Sequence, residues 1–233
     1  MKIVGIIPAR YNSKRLPGKP LIKINGETLI HLTYKSVLNS RLFDSIYIAT
    51  DSIKIRSAVK KFGAQCIMTS SDNQNGTERC VEVINKLKHL ISDKDIIINI
   101  QCDEPFIKKE HFIKIINLFK NNIQIGTLVS PIQKDDILDE SVVKVNLKTN
   151  DTAIDFSRSI SHLNNEQKIY KHIGIYAYQK NTLIKLSRLK ATEQELNKNL
   201  EQLRWIEHGY KIVCAIINEN LISINTKNDI KKL

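Results

Sequence analysis

A run of cationic side chains directly follows the first apolar segment of the chain, and these residues are the best suited to bind an anion. The candidates are Arg10, Ser13, Lys14, Arg15, Gly18 and Lys19. Arginine and lysine neutralise phosphate charge, and a glycine lets the backbone approach a bound group closely. A solvated basic loop is the alternative interpretation. The position directly after a strand favours a phosphate site.

A second candidate for chemistry is Asp103, in the sequence NIQCDEP at residues 99–105. The preceding segment, 95–100, is strongly apolar and typical of a buried strand, so Asp103 is expected just beyond the end of that strand. A carboxylate there can hold a Mg²⁺ ion that bridges phosphate oxygens. An aspartate after a strand can equally cap a helix, and the residues alone leave both roles open.

Arg79 is a third candidate, because its predicted position is unusual for a cation. Residues 77–91 have the apolar spacing of a helix, and Thr77 is suited to cap its start. Arg79 then lies in the first turn, where a cation opposes the helix dipole. This placement indicates an anionic partner for the guanidinium group.

The elements that must position these residues alternate between strands and helices. Apolar runs predict strands at 2–8, 45–49, 64–68 and 95–100, and helical spacing predicts helices at 28–40, 53–62, 77–91 and 109–120. This alternation is typical of a doubly wound, mostly parallel α/β sheet, which binds ligands beyond the carboxyl ends of its strands. The chain contains neither the GxGxxG fingerprint nor a Walker A sequence.

The pattern changes from about residue 125. Short strands are predicted at 125–132, 142–148, 153–156 and 172–178, so we expect an antiparallel excursion over 125–180 that could form a dimer arm. The later predictions are helices at 180–188, 199–208 and 227–232 and strands at 211–217 and 221–224. The chain has no low-complexity linker, and residues 1–233 are expected to form a single domain.

The charge balance raises nucleic-acid binding as an alternative function. The chain has 36 Lys and Arg against 24 Asp and Glu, a net charge of +12. The cations are scattered, are mostly lysine and are not interleaved with aromatic side chains. This distribution favours a solvated surface, and we expect no nucleic-acid partner.

The apolar segments and the cysteines bear on the compartment of the protein. No apolar run approaches the roughly 20 residues that span a bilayer, so we expect no membrane segment. The first residues, MKIVGIIPAR, lack the apolar region and the cleavage site of a signal peptide, which predicts a cytoplasmic location. The cysteines, Cys66, Cys80, Cys102 and Cys214, form no CxxC pair and are expected to be free thiols.

Several short sequences occur in an order that resembles one enzyme family. They are IIPARYNSKRLPGKPL at 6–21, ATD at 49–51, NGTER at 75–79, NIQCDEP at 99–105, DFSRS at 155–159, KHIGIYAY at 171–178 and LEQLRWIEHG at 200–209. Together they resemble the 3-deoxy-manno-octulosonate cytidylyltransferases, or CMP-KDO synthetases, nearly from end to end. The first motif is shared with CMP-sialic acid synthetases, whereas the blocks at 172–178 and 200–204 point to the sugar acid KDO.

The resemblance implies roles for residues at matching positions. It assigns nucleotide binding to Arg10, Ser13, Lys19, Arg79 and Gln101, and catalysis to Arg10, Lys19 and Asp103. It assigns sugar binding to Gln101, Arg158, His172, Tyr176, Glu201 and Gln202, and Mg²⁺ binding to Asp103 and Asn225. Arg158 and His172 are the expected partners of the sugar carboxylate.

The resemblance also implies a reaction and an architecture. The anomeric hydroxyl of KDO would attack the α-phosphorus of CTP, giving CMP-KDO for lipopolysaccharide synthesis and releasing pyrophosphate, with Mg²⁺ as cofactor. The fold would be of the nucleotide-diphospho-sugar transferase type. Residues 125–180 would form a sugar-binding and dimerisation subdomain, and the protein would be a homodimer.

Two residues depart from the pattern of the family. Cys102 stands where the family usually has glycine, so its side chain could crowd a bound group or require a different φ angle. Asn225 stands where the family has an aspartate that binds Mg²⁺. An amide oxygen can still bind the ion but brings no charge, so we expect weaker metal binding or reduced activity.

These departures keep two further functions open. One is cytidylyl transfer to another acidic sugar, such as 8-amino-KDO or sialic acid. The other is a relative with weakened catalysis that binds nucleotide without turnover.

Overall fold

The computed structural model describes residues 1–13, 16–162, 168–231 and 233. Within them, the strands are β1 (Ile3–Pro8), β2 (Lys23–Ile24), β3 (Glu27–Thr28), β4 (Ser45–Thr50), β5 (Gln65–Met68), β6 (Ile96–Ile100), β7 (Ile125–Pro131), β8 (Lys144–Leu147), β9 (Ala153–Ser157), β10 (Ile169–Gln179) and β11 (Ile212–Ile216). The helices are α1 (Leu29–Ser40), α2 (Ile53–Lys60), α3 (Gly76–Lys86), α4 (Lys109–Leu118), α5 (Lys134–Leu138), α6 (Lys180–Leu186), α7 (Glu193–Lys198), α8 (Gln202–Glu207) and α9 (Lys227–Lys231). None of these helices is long and apolar enough to cross a membrane.

The central sheet has the strand order β11-β7-β10-β6-β1-β4-β5. Strand β1 is parallel to β4 and β6, β5 is parallel to β4, and β11 is parallel to β7. Strand β10 is antiparallel to both of its neighbours, β6 and β7. The doubly wound, mostly parallel α/β fold is therefore confirmed.

The core lies on both faces of this sheet, which explains the nearly continuous apolar runs in strands such as β1 and β6. Ile6 and Ile97 pack in one cluster, and their sequence neighbours Ile7 and Ile98 pack in the other. Successive side chains of a strand point to opposite faces, so a strand covered on both sides must be apolar throughout. Each of these four side chains is completely buried.

The strands of the predicted antiparallel excursion over 125–180 pair antiparallel with one another. Strands β7 and β10 belong to the central sheet, and only β8 and β9 lie outside its main path. Strand β8 pairs antiparallel with β9 and with the beginning of β10. The antiparallel excursion is therefore confirmed, and it is continuous with the main sheet through β7 and β10.

Two local predictions differ from the structure. Residues 221–224 were expected to form a strand, but they have no strand pairing, and the Ile224 N–H donates to the carbonyl of Asp103 at 2.9 Å. Helix α5 was not predicted, because its sequence KDDIL has too few apolar residues to show helical spacing.

The reversed direction of β10 brings its beginning to the edge where β6 ends. Ile175 lies opposite Ile100, the last residue of β6, so the residues of β10 that precede Ile175 extend past the carboxyl end of β6. The carboxyl ends of β1, β4 and β6 meet at the same edge because these strands are parallel. One edge of the sheet thus gathers the ends of three strands and the start of a fourth.

Candidate active site

A cleft of about 1370 Å³ lies at this edge of the sheet. It is lined by every residue to which the sequence assigned a role: Arg10, Ser13, Lys19, Arg79, Gln101, Asp103, Arg158, His172, Tyr176, Glu201, Gln202 and Asn225. These residues come from the first loop, four strands or their ends, and three helices or their flanks. The fold brings them together although they are spread over most of the chain.

The loop after β1 is closed at its base by its own backbone. The N–H groups of Ser13 and Gly18 both donate to the carbonyl of Tyr11, each at 3.0 Å. Gly18 has a φ of 69°, a left-handed conformation that favours glycine. The ammonium of Lys54 lies 4.9 Å from the centre of the Tyr11 ring, a cation–π contact that fixes this ring from outside the loop.

The loop delivers its last cation, Lys19, into the cleft. Lys19 begins a short 3₁₀ turn, Lys19–Leu21, directly after Gly18. Its ammonium lies 2.5 Å from the Asp103 carboxylate, with both side chains largely enclosed. Lys14 and Arg15, two further cations of the loop, lie outside the described residues.

Asp103 is held close to Asn225 by the backbone. The Ile224 N–H donates a hydrogen bond to the Asp103 carbonyl, and Asn225 directly follows Ile224 in the chain. The carboxylate oxygens of Asp103 and the amide oxygen of Asn225 are hard ligands of the kind that Mg²⁺ takes, usually together with phosphate oxygens. These two residues therefore fit the predicted metal site.

Asp229, which also lines the cleft, has a structural role. Its Oδ2 accepts hydrogen bonds from the N–H groups of Asn225 and Thr226 at 2.9 and 2.7 Å, and from the Thr226 hydroxyl at 3.0 Å. These bonds fix the start of α9 and the backbone of Asn225. The orientation of Asn225 thus depends on a carboxylate four residues further on.

Cys102 fits its position without the backbone change that its replacement of glycine could have required. Its φ is not positive, and its buried side chain packs in the core beneath the sheet edge. The Cys102 carbonyl accepts a hydrogen bond from the Thr33 hydroxyl at 2.7 Å. Burial raises the pKa of the thiol, so Cys102 is a poor nucleophile.

Arg79 has the anionic partner that its position in the helix predicted. Asn75 caps α3 by accepting from the Glu78 N–H, and Arg79 follows in the first turn. The buried guanidinium lies 3.3 Å from the Asp51 carboxylate and donates to the Thr69 hydroxyl. The ion pair joins the start of α3 to the end of β4 and makes Arg79 a rigid part of the cleft wall.

The middle of the cleft depends on Gly174 and on a carboxylate that the sequence did not single out, Glu104. Buried Glu104 accepts from the Gly174 N–H at 3.0 Å and from the Ser223 hydroxyl at 2.6 Å. Burial raises the pKa of Glu104. Its bonds join β10 and the segment after β11 to the end of β6. Its place beside Asp103 is visible in the sequence, but its burial is not.

Gly174 leaves the room that Gln101 occupies. A Cβ atom added to Gly174 would lie 2.9 Å from the Gln101 Cδ atom and 3.1 Å from a Glu104 oxygen. The Gln101 N–H also donates to the Gly174 carbonyl at 3.1 Å. The glycine in HIGIYAY therefore sets the position of Gln101.

His172 lines the cleft as a neutral ring. Its Nε2 lies 3.0 Å from the Thr127 hydroxyl, which donates its own hydrogen to the Ile175 carbonyl at 2.7 Å. The Nε2 atom is therefore the donor to Thr127. Desolvation lowers the pKa of His172 to about 3. A neutral His172 brings no charge to a carboxylate, and its role as a partner of the sugar carboxylate stays a prediction.

An aromatic wall follows along β10 and α8. The Tyr176 and Trp205 rings contact edge to face, with centroids 5.1 Å apart. Within the described residues, the buried Tyr176 hydroxyl and Trp205 Nε1 have no hydrogen-bond partner, and both residues line the cleft. Nearby Glu201 has a pKa raised to about 7 by desolvation. Such groups can bind the hydroxyl groups of a sugar, because unpaired buried polar atoms gain most from a new hydrogen bond.

The far end of the cleft contains an acidic segment and several cations. Asp135, Asp136, Asp139 and Glu140 line it together with Arg158 and Lys171. Arg158 Nη1 donates to the carbonyls of Glu140 and Ser141 at 3.0 and 3.3 Å. Lys171 and the neighbouring Lys144 were not predicted as site residues, because a lysine in a strand is normally solvated.

A cluster with metal-ligand residue types lies outside the cleft lining, but its hydrogen bonds do not fit a metal site. Ligand atoms of Glu110, His111 and Glu219 lie within 4.8 Å of one another. His111 Nδ1 accepts from the Lys108 N–H, so the neutral ring has its proton on Nε2, which faces Glu219. The Lys108 ammonium also binds Glu219, at 2.6 Å. These contacts form an ion-pair network around a neutral histidine.

Known proteins resemble the chain over its whole length. A family model described as Cytidylyltransferase matches residues 4–212. A 3-deoxy-manno-octulosonate cytidylyltransferase from Parabacteroides distasonis is 43% identical, with 100% of this chain and 96% of the relative covered. One from Fusobacterium nucleatum is 42% identical, with the same coverage. The solved structure of a CMP:2-keto-3-deoxy-manno-octonic acid synthetase complexed with CTP is 34% identical, with a TM-score of 0.88 and coverage of 100% and 96%.

Proposed function

The chain belongs to the cytidylyltransferase family, among the 3-deoxy-manno-octulosonate cytidylyltransferases, and on this premise we propose that it transfers CMP from CTP to KDO. The products are CMP-KDO, a precursor for lipopolysaccharide synthesis, and pyrophosphate. The observation that carries the proposal is that the cationic first loop and the aromatic wall of β10 and α8 line the same cleft. A nucleoside triphosphate and a sugar acid can meet there.

The reaction joins two anions, so the cleft must neutralise charge and align the reactants. The anomeric hydroxyl attacks the α-phosphorus, a new phosphorus–oxygen bond forms, and the bond to the pyrophosphate oxygen breaks. Arg10 and Lys19, in the segment after β1, stabilise the charge that develops on the leaving pyrophosphate. Most of the acceleration in such transfers comes from positioning and electrostatic stabilisation.

We propose that Asp103 and Asn225 hold Mg²⁺ beside the phosphates. The ion, when bound, supplies further neutralisation of the phosphate oxygens. Lys19 contacts the same carboxylate of Asp103, so one anionic side chain would hold two cations, the Lys19 ammonium and the metal ion.

The sugar lies at the other end of the cleft in this proposal. Gln101, Tyr176, Glu201 and Gln202 offer hydrogen bonds to its hydroxyl groups. Because pKa values near 7 permit a protonated form at neutral pH, Glu201 can donate as well as accept. His172, being neutral, contributes shape and one hydrogen-bonding nitrogen.

A pyrophosphate-release assay with CTP, KDO and Mg²⁺ tests the proposal. We expect turnover with KDO above that with 8-amino-KDO or sialic acid. Preference for another acidic sugar would reassign the substrate. Binding of CTP without release of pyrophosphate would identify the chain as a relative with weakened catalysis, for which the charge lost at Asn225 is the specific reason.

We further propose that the protein acts in the cytoplasm, where CTP is available, and that it is a homodimer with the branch formed by β8 and β9 at its interface. Light scattering on the purified protein tests the second part. A mass near 26.7 kDa, that of one chain, would contradict it.

A further inference from the structure

Two lysines face each other across neighbouring strands at the far end of the cleft. Lys144 of β8 lies opposite Lys171 of β10 in the antiparallel ladder. Residues directly opposite in such a ladder point to the same face and have neighbouring side chains. The two lysines are 0% and 7% exposed. Like charges in this arrangement repel each other, and water cannot screen them fully, so anionic or carbonyl partners are required.

The partners of Lys144 are fixed parts of the backbone. Its ammonium donates to the carbonyls of Asp139, Val142 and Arg158 at 2.6, 3.1 and 2.7 Å. These bonds use all three N–H groups of the ammonium. Desolvation lowers the pKa of Lys144. Lys144 therefore holds the cleft wall in place and has no hydrogen left for a ligand.

The partners of Lys171 are side chains from two other segments of the cleft. Its ammonium lies 3.3 and 3.2 Å from the two oxygens of Asp136 and 3.0 Å from the Asn220 amide oxygen. All three residues line the cleft. Asp136 is the only charged partner of Lys171 among the described contacts. A buried cation of the cleft, Lys171, is thus already paired with a carboxylate of the protein. The proposed substrate carries a carboxylate as well.

Asp136 is supplied by an element that is weakly attached to the rest of the fold. Helix α5 spans five residues and buries none of them. A short helix with no buried side chain can move at a small cost in free energy, because few apolar contacts are lost. The carboxylate on Lys171 is therefore replaceable, unlike the carbonyls on Lys144.

We propose that the carboxylate of the sugar acid replaces Asp136 at Lys171, so that Asp136 is a resident anion that only an acidic sugar can displace. This inference rests on the proposed function and names the residues that select for acidity. An acidic sugar exchanges one carboxylate for another at Lys171. A neutral sugar would have to leave a buried ammonium unpaired, which is strongly unfavourable, or would have to bind with α5 still in place.

The neighbours of Lys171 support this assignment. His172, the next residue of β10, is neutral and has its Nε2 hydrogen directed at Thr127. Arg158 donates to backbone carbonyls of the acidic segment. Lys171 is thus a cation at this end of the cleft that is already paired with a carboxylate, the group that the incoming ligand also carries.

The first test compares KDO with its neutral C1 amide in pyrophosphate-release assays. The wild type is expected to prefer the acid by about a hundredfold or more in kcat/KM, and Lys171→Met is expected to reduce that ratio by at least about tenfold. Lys171→Arg retains the charge and should retain most of the preference. Comparing ratios between variants removes the effect of the amide on the nucleophile itself. An unchanged ratio in Lys171→Met would overturn the inference.

The second test removes the resident anion and does not depend on the folding of the first variant. Asp136→Asn is expected to lower the KM for KDO several-fold and to leave the KM for CTP unchanged. The matched control is Asp93→Asn, which removes the same charge from a Lys180 ion pair at the opposite end of β6, outside the cleft lining. It should change neither KM. A KM for KDO that does not fall in Asp136→Asn, or that falls equally in Asp93→Asn, would contradict the exchange.

The two proposals fail in different ways. A wild-type protein that releases no pyrophosphate with CTP and KDO would refute the proposed function. An active wild type whose acid-to-amide ratio is insensitive to Lys171→Met would refute only the anion exchange.

Discussion

The Lys19 ammonium lies 2.5 Å from the Asp103 carboxylate, and the two side chains are only 13% and 14% exposed. The residues are 84 positions apart: Lys19 follows the loop after β1, and Asp103 follows β6, the parallel neighbour of β1. Their pairing neutralises both charges before any ligand binds. A triphosphate that arrives with a metal ion can engage both members, the phosphates at Lys19 and the metal at Asp103, so the pair is a pre-formed receptor for a metal–phosphate complex.

Replacing Lys19 tests this pair directly. Lys19→Ala is expected to fold normally and to lose about 10²- to 10³-fold in kcat/KM, the usual effect of removing one charge-stabilising donor. Lys23→Ala removes an exposed lysine from the adjacent hairpin and is the matched control. Thermal unfolding checks the fold and pyrophosphate release checks the rate. Near-normal kcat/KM in Lys19→Ala would contradict the assignment.

Asn225→Asp should strengthen metal binding. The substitution adds a negative charge next to the Asp103 contact, and the Mg²⁺ concentration for half-maximal rate should fall about tenfold, since ligand charge sets the affinity of such sites. Asn228→Asp, an exposed residue in the same segment, adds the same charge elsewhere. Identical Mg²⁺ titration curves for the wild type and Asn225→Asp would show that Asn225 is not a metal ligand.

Gly174→Ala is expected to displace Gln101 while the fold survives. The new Cβ would lie 2.9 Å from the Gln101 Cδ atom, which the flexible end of that side chain can avoid only by moving. We expect a rise in substrate KM of about tenfold, an effect of the size seen when a positioning group is lost.

A double-mutant cycle identifies the cause of that rise. If the alanine acts through Gln101, then Gln101→Ala with Gly174→Ala should be no worse than Gln101→Ala alone. Additive losses would mean that Gly174 matters for another reason, such as its hydrogen bond to Glu104.

Glu201 should make the stability of the protein depend on pH. Its pKa is about 7 in the folded protein against an ordinary value of 4.5, so the native state retains a proton that the unfolded state releases between these values. Stability therefore falls as pH rises from 4.5 to 7 and stays lower above 7. Glu201→Gln lacks this ionisation and should gain about 2 kcal/mol relative to wild type between pH 5 and 8.

Urea unfolding at pH 5 and pH 8 measures the difference. Glu207→Gln, at the exposed end of the same helix, is the control for loss of a carboxylate. A constant stability difference between Glu201→Gln and wild type across this range would show that Glu201 ionises normally.

The sequence predicted most of the sheet from local patterns, whereas most of the cleft residues were implied by the resemblance to the family. Apolar runs locate β1, β4 and β6, and parallel strands bring the residues after them to one edge. Arg79 is an example of a contact that was predicted from a local pattern. Its unfavourable place at a helix start predicted an anion, and the structure identifies that anion as Asp51, from the end of another strand.

Other features escaped prediction for identifiable reasons. The hairpin of β2 and β3 was not predicted. It has Asn25 and Gly26 at its turn, both with positive φ, and an Asn-Gly pair is a recognised hairpin signal. Residues 221–224 are apolar enough to be a strand, but they form no strand pairing, and only Leu221 and Ile224 among them are buried. The burial of Lys144 and Lys171 has no local signal, because it arises only when β8 pairs with β10.

The hydrogen bond between Ile224 and Asp103 has a consequence for the synthesis of the protein. A nascent chain that has emerged only as far as β10 already possesses the cationic loop, Asp103 and the aromatic ring of Tyr176. It still lacks Asn220, which binds Lys171, Ser223, which binds Glu104, and Asn225. Catalytic competence therefore arrives late in translation, when a segment without strand pairing closes over an almost finished pocket.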